Sequence, residues 1–297
     1  MAIILDGKLL SSTIKSEILE ECKALKENYS IIPSLAIVLV GNDPASQIYV
    51  ASKERLCGEV GIRSIVVKMD ENSTQDEVEL KVKMLASDPD INGLMVQLPL
   101  PKGLDEDKVL ANIPPNKDVD GLTPLSGGYC LFDYDGFTPC TPKGIIEILK
   151  RYNIPLSGKH AVVIGRSNMV GKPVALKLLR ENCTVTICHS RTQNLDEVCK
   201  TADILVVAVG KKHLVTENMI KDGAVVIDVG INRVDGKLYG DVDFEGVSNR
   251  ASYITPVPGG VGPMTVAMLI SNTLTACKKQ NNIWLWIIIQ PIIIINS

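Results

Sequence analysis

Three apolar runs in the second half of the chain, each ending in glycine, constrain the fold more than any other feature. They are Ala161-Val-Val-Ile-Gly165, Ala202-Asp-Ile-Leu-Val-Val-Ala-Val-Gly210 and Gly223-Ala-Val-Val-Ile-Asp-Val-Gly230. Strands that are apolar on both faces belong to a parallel sheet covered by helices, so the runs predict alternating strands and helices. The first run leads through Gly165-Arg-Ser-Asn-Met-Val-Gly171 into a helix that continues with Lys172-Pro-Val-Ala175. A strand, a glycine turn and a helix in that order present backbone N–H groups to a pyrophosphate. The spacing departs from G-x-G-x-x-G, because Ser167 takes the second glycine's place and Gly171 falls one residue late. Such joints favour glycine for steric reasons alone. It is the two further runs that give the dinucleotide-binding reading its weight.

The next predicted strand, Thr184–Cys188, ends in His189-Ser190-Arg191. An NAD site usually carries an acid here, about 20 residues after the turn, for the ribose 2′-OH. In its place stand a hydroxyl and an arginine, with Arg166 in the turn itself. A forked cation suits a 2′-phosphate, so these residues point to NADP. Ligands bind at the carboxyl ends of parallel strands, which places Gly210, Gly230 and Ile231 beside the nicotinamide half. The expected cofactor-binding set is Gly165, Arg166, Ser167, Gly171, Ser190, Arg191, Gly210, Gly230 and Ile231.

A chain of 297 residues is long enough for two domains with separate cores. Its 31 basic and 34 acidic residues are intermixed, with no footprint for nucleic acid or a membrane surface. The eight cysteines form no Cys-x-x-Cys pair and read as buried thiols of a reducing, cytoplasmic compartment. The three histidines are scattered, so no metal site is expected. The N-terminus lacks the basic and apolar regions of a targeting segment. Residues 280–297 are atypical: both tryptophans and a run of isoleucines lie there, interrupted by Pro291. That stretch is shorter than the about 20 residues a bilayer-spanning helix needs, and it reads as an appended apolar tail.

The first half repeats the α/β pattern. Leu9–Tyr29 reads as an amphipathic helix, Ser34–Val40 as a buried strand, and a helix then runs through Val60 to a strand at Ile62–Met69. Ser73 or Thr74 caps the next helix, and Gly93–Gln97 is a third strand. Proline- and glycine-rich sequence from Ile113 to Pro142 leads into a helix at Lys143–Tyr152. The expected division is an α/β catalytic domain of residues 1–142 plus a C-terminal helix at 263–279, and a Rossmann-type domain at 143–262. A cleft between the two is the expected place for a small-molecule site.

Tyr49 and Lys53, four residues apart on a predicted helix, share one face. Gln97 closes a buried strand, and Asp118 and Asp120 lie in Lys117-Asp-Val-Asp-Gly121. A lysine in an apolar cleft has its pKa lowered by desolvation, which brings general acid–base work near neutrality within reach. Asp-Gly is also a turn dipeptide, so one of the two aspartates can be simple turn chemistry.

Five segments in order carry a family resemblance: Tyr49-Val-Ala-Ser-Lys53, Val96-Gln-Leu-Pro-Leu-Pro101, Lys117-Asp-Val-Asp-Gly-Leu122, Gly165–Pro173 and Thr255-Pro-Val-Pro-Gly-Gly-Val-Gly-Pro-Met-Thr265. Together they resemble the bifunctional methylenetetrahydrofolate dehydrogenase/methenyltetrahydrofolate cyclohydrolase family, over about residues 2 to 279. The resemblance implies oxidation of 5,10-methylenetetrahydrofolate with NADP⁺ and hydrolysis of the methenyl product to 10-formyltetrahydrofolate, reactions of one-carbon metabolism and purine biosynthesis. It implies Lys53 as the central catalytic group, tuned by Gln97, with Tyr49 stacking on the folate and Asp120 gripping the pterin. Val96, Leu98, Pro258 and Gly262 complete the implied substrate-binding set, and a homodimer is implied as well. The alternatives are a dehydrogenase without the hydrolase, another two-domain NADP oxidoreductase, and a silent nucleotide-binding or interaction protein.

Overall fold

The computed structural model describes residues 1–283; the Trp- and Ile-rich tail from Trp284 onward lies outside the described residues. In chain order the elements are β1 (Ile3–Ile4), α1 (Gly7–Tyr29), β2 (Ser34–Val40), α2 (Pro44–Glu59), β3 (Arg63–Met69), α3 (Gln75–Ser87), β4 (Gly93–Val96), α4 (Glu106–Leu110), α5 (Pro124–Phe132) and α6 (Cys140–Arg151). They continue with β5 (His160–Ile164), α7 (Gly171–Arg180), β6 (Thr184–Cys188), α8 (Leu195–Cys199), β7 (Ile204–Val207), β8 (Val225–Asp228), β9 (Asn232–Val234), β10 (Lys237–Tyr239), α9 (Phe244–Ser248), β11 (Tyr253–Ile254) and α10 (Val261–Gln280). The chain divides into two compact units, one of Thr13–Cys140 with residues 266–283, the other of Met1–Ser12 with Thr141–Thr265.

The first unit is built on a parallel sheet of order β3-β2-β4, with Ile37 opposite both Val66 and Met95. Every residue of β2 is buried, as its unbroken apolar run requires. Ala36, Val38 and Val40 pack with Val78, Val82, Leu94, Val96 and Val109 in one core. Beyond β4, the Leu94 N–H donates to the Lys117 carbonyl at 2.8 Å and Leu94 bridges Asp118 in parallel, so the Lys117–Asp118 segment extends the sheet edge. α2 starts at the carboxyl end of β2, where the Asp43 carboxylate accepts the Ser46 N–H at 2.7 Å and Pro44 occupies the first turn. Of the two cap candidates for α3, Thr74 serves, in a reciprocal capping box with Glu77.

α5 lies inside the stretch that reads from sequence as a proline- and glycine-rich connection. Gly127 and Gly128 weaken its intrinsic propensity. Thr123 caps it, accepting the Ser126 N–H at 3.1 Å, and Pro124 sits at its start. The helix therefore owes its existence to its cap and to the buried Asp118 described below.

The second unit carries six parallel strands in the order β1-β11-β8-β7-β5-β6. β5 is flanked by β6 on one side and β7 on the other, so the direction of winding reverses between β5 and β7. In open parallel sheets ligands bind outside the strand ends at this switch point. Val162, Ile164, Leu205, Val207, Val226 and Ile254 form the core beneath it. The N-terminal dozen residues belong to this unit because Ile3 and Ile4 pair with Tyr253 and Ile254. β9 and β10 form an antiparallel hairpin turning through Asp235 and Gly236, both with positive φ. Among the described residues no helix is long and apolar enough to cross a membrane, and no cluster of His, Cys, Asp or Glu could hold a metal ion.

Candidate active site

Lys53, Gln97 and Asp120 come together in the first unit. The first two are delivered by the carboxyl end of a strand or the helix that follows one, and Asp120 by the segment that extends the sheet edge. Gln97, the residue after β4, is buried and donates its own N–H to the Val38 carbonyl at 2.8 Å. Its Nε2 donates to the Leu98 carbonyl at 2.6 Å, which leaves Oε1 to accept from Lys53 Nζ at 2.8 Å. An amide oxygen can accept from an ammonium or an amine, so Gln97 orients Lys53 without dictating its charge. Burial pushes the Lys53 pKa below the ordinary lysine range, against the opposing pull of the Asp120 carboxylate. Asp120 is displaced the other way: burial raises its pKa, and Asp118 adds to this, while Lys53 and a hydrogen bond with Cys140 act to lower it. The two groups are thus held near one another with burial favouring the neutral form of each.

The structure separates the two aspartates that the Asp-Val-Asp-Gly turn pattern alone leaves equivalent. Asp118 is 1% exposed. Its carboxylate accepts the N–H groups of Gly121 at 3.0 Å and Thr123 at 2.9 Å, and the Ser126 hydroxyl at 2.6 Å. It is the turn residue. Gly121, at φ +70, is also required: a Cβ there would stand 2.4 Å from the Thr138 carbonyl carbon. Between the aspartates, the Val119 carbonyl accepts from Asn272 Nδ2 at 2.8 Å and from the Cys140 thiol at 3.4 Å. The peptide leading into Asp120 is therefore held from α10.

Tyr49 lies one helical turn before Lys53 on α2 and is 53% exposed, leaving an aromatic face for a ligand. Val96 is a core side chain, 1% exposed, and can offer a ligand only its backbone. Leu98 is half-buried beside Gln97. Pro258 and Gly262 belong to the other unit, on and after the turn that follows β11, and both are exposed.

In the second unit the turn after β5 is held by close contacts. Gly165 has φ +126 and a Cβ there would lie 2.3 Å from the Ala208 carbonyl oxygen. A Cβ on Gly171 would lie 2.3 Å from the Gly165 carbonyl oxygen. Ser167, in the place of the second glycine, organises the start of α7. Its hydroxyl accepts the N–H groups of Val170 at 3.2 Å and Gly171 at 3.3 Å, and its carbonyl accepts that of Lys172 at 3.1 Å. The Gly165 N–H donates to the Cys188 carbonyl at 2.9 Å, tying the turn to the end of β6. Arg166, Ser190 and Arg191 are all exposed at the carboxyl ends of these neighbouring strands. A glycine cradle with two guanidinium groups and a hydroxyl at its rim fits a dinucleotide with a 2′-phosphate.

Two residues of this unit escape a sequence reading. Asp228, at the end of β8, accepts the N–H groups of Gly230 and Asp241, each at 2.9 Å, and of Val242 at 3.0 Å. Burial raises its pKa to about 6, a rise that three N–H donors limit. Asp241, fully buried, accepts the N–H groups of Val209, Gly210 and Lys211. An aspartate closing an apolar strand is the only local hint of the first, and nothing local marks the second.

Comparison with known proteins agrees with this geometry. The family model for the tetrahydrofolate dehydrogenase/cyclohydrolase catalytic domain matches residues 5–120, and that for its NAD(P)-binding domain matches residues 139–281. The chain is 58% identical over 280 residues to the bifunctional protein FolD of Caldicellulosiruptor saccharolyticus, covering 92% of this chain and 100% of that protein. It superposes on the crystal structure of the bifunctional methylenetetrahydrofolate dehydrogenase/cyclohydrolase FolD of Campylobacter jejuni with a TM-score of 0.92 at 48% identity, covering 94% of this chain and 99% of the other. The Trypanosoma brucei N5,N10-methylenetetrahydrofolate dehydrogenase-cyclohydrolase, solved with NADP cofactor and inhibitor, gives 0.89 at 38% identity, with 94% and 98% covered.

Proposed function

The chain belongs to the tetrahydrofolate dehydrogenase/cyclohydrolase family, and we propose that Lys53, poised by Gln97 and Asp120, is the group through which it hydrolyses its methenyl intermediate. The enzyme oxidises 5,10-methylenetetrahydrofolate with NADP⁺ and converts the product to 10-formyltetrahydrofolate. The observation that carries the residue assignment is the 2.8 Å hydrogen bond between Lys53 Nζ and Gln97 Oε1, on a lysine whose pKa burial has lowered.

The hydride-accepting chemistry of the oxidation is what NADP⁺ would supply when bound. The protein's part in that step is positioning. Gly165 and Gly171 let backbone approach the pyrophosphate, while Arg166, Ser190 and Arg191 receive the 2′-phosphate. Gly210, Gly230 and Ile231 would border the nicotinamide, at the carboxyl ends of the strands.

Hydrolysis asks more of the side chains. Water adds to the methenyl carbon and gives a proton to the neutral Lys53 amine. Lys53 returns that proton to N5 as the carbon–N5 bond breaks, and the remaining hydroxyl proton leaves to solvent as the formyl C=O forms. Asp120 accepts N–H groups of the pterin, and the Tyr49 ring stacks on it. Leu98 adds an apolar contact and Val96 its backbone alone, and the family resemblance adds Pro258 and Gly262 to the substrate-binding set.

A coupled spectroscopic assay with 5,10-methylenetetrahydrofolate and NADP⁺ tests the whole reading. NADPH should form without build-up of methenyl absorbance; accumulation of the methenyl species would refute the role given to Lys53. Arg191→Ala should raise KM for NADP⁺ about tenfold or more, the worth of a charge-assisted hydrogen bond, and leave KM for NAD⁺ nearly unchanged. Equal changes for both cofactors would show that the basic pair does not read the 2′-phosphate. The same proposal includes a cytoplasmic homodimer, supported by the resemblance and by eight free thiols. Sedimentation of the purified protein at a single chain mass would remove the dimer from it.

A further inference from the structure

The loop after β7 is held in an unusual way. Asp241 Oδ2 accepts the N–H groups of Val209 at 2.7 Å and Gly210 at 2.9 Å. Its Oδ1 accepts the Lys211 N–H at 2.7 Å and Asn232 Nδ2 at 2.9 Å. Three successive peptide N–H groups converging on one point form a nest of the kind that binds an external anion. Here the anion comes from the chain itself, fully buried.

Asp241 is in turn located by Asp228. That carboxylate, on the last residue of β8, accepts the N–H groups of Asp241 and Val242 and also that of Gly230. The glycines on either side leave no room for side chains: a Cβ at Gly230 would meet the Asp241 carboxyl at 2.2 Å, and one at Gly240 would overlap Asp228 Oδ2. Two carboxylates are thus buried together against desolvation and mutual repulsion, and between them they accept six backbone N–H groups and one side-chain amide. What this arrangement orders is the Val209–Lys211 loop and the Gly230 turn, the two segments that follow the neighbouring strands β7 and β8.

We infer that Asp241 is a positioning residue for the nicotinamide end of the cofactor. This rests on the reading that Gly210, Gly230 and Ile231 border that end. Because the peptide unit is planar and trans, drawing the Gly210 and Lys211 N–H groups toward Asp241 turns the Val209 and Gly210 carbonyls the opposite way. Those carbonyls are acceptors of the right chemistry for the carboxamide NH₂ of a nicotinamide. By filling the nest with its own carboxylate, the chain also keeps a cofactor phosphate from settling there in the wrong register.

Asp241→Asn in the full chain keeps the volume but sets an NH₂ donor among the converging N–H donors. KM for NADP⁺ in the dehydrogenase reaction should rise about tenfold or more. Hydrolysis of added 5,10-methenyltetrahydrofolate, which uses no cofactor, should stay within about twofold of the parent enzyme. An unchanged KM would overturn the inference, as would a parallel fall of both activities with a lower melting temperature. Amide hydrogen exchange in the unmutated enzyme needs no altered protein: NADP⁺ should slow exchange at Val209–Lys211, and no slowing there overturns the inference as well. Failure of the unmutated enzyme to use NADP⁺ at all would instead remove the cofactor reading beneath it.

Discussion

A Lys53→Met enzyme is expected to lose hydrolysis of 5,10-methenyltetrahydrofolate by about 10²–10⁴-fold, the contribution typical of a positioned general acid–base group, while retaining a measurable dehydrogenase rate. Methionine keeps much of the length of the side chain and removes the amine, so folding should survive. Hydride transfer survives because it draws on cofactor chemistry and positioning, and the cradle residues belong to the other unit. The pH dependence sharpens the test. The neutral amine is the base, so hydrolysis should climb as pH rises through the Lys53 pKa and level off above it. Burial has moved that pKa below the ordinary lysine range, and the Asp120 charge moves it partly back. Asp120→Asn removes the charge, so the ascending limb should move to still lower pH, with weaker folate binding alongside. Undiminished hydrolysis in Lys53→Met, or a limb that moves upward in Asp120→Asn, would refute the assignment.

Gly165→Ala should have the opposite selectivity, cutting dehydrogenase kcat/KM for NADP⁺ by about 100-fold or more and sparing methenyl hydrolysis. The backbone at Gly165 has φ +126, a region that costs a residue with a side chain about 1–3 kcal/mol. The added Cβ would also lie 2.3 Å from the carbonyl oxygen of Ala208, which is main chain and has no rotamer by which to retreat. The turn must shift, and a misplacement of this order at a positioning element costs about 100-fold. Gly171→Ala presses the same turn from its other end, against the Gly165 carbonyl. Gly128→Ala is the control, since nothing lies within 4 Å of the new methyl. Separate assays of the two reactions, with melting curves for each protein, check the pattern. A Gly165→Ala enzyme that oxidises its substrate normally would show that the turn has slack the close contacts deny.

How much of this is legible in the chain follows from the range of the interactions involved. Continuous apolar runs closed by glycine mark parallel strands because each residue's own side chain reports burial on both faces. The turn from β5 into α7, the exposed Arg166 and Arg191, and the pairing of Tyr49 with Lys53 on one helix face are legible for a similar reason: each signal lies within a short stretch of chain. Residues 113–142 read as connection, and α5 within them goes unseen. Its propensity is low, and its support, the Asp118 carboxylate, reaches Ser126 only after the turn has closed.

By itself the sequence determined the alternation of strands and helices, the dinucleotide turn, the basic rim and the family. Only the tertiary structure decided that Asp118 is the turn residue, that Asp120 lies beside Lys53, and that Ile3–Ile4 join Tyr253–Ile254 from the opposite end of the chain. It likewise decided that Asp241 holds the loop after β7. Each of these depends on which donors meet a given acceptor, or on which strand finds an open edge. Most of those partners are distant in the chain, so their identity is a property of the folded packing and leaves no local pattern to read.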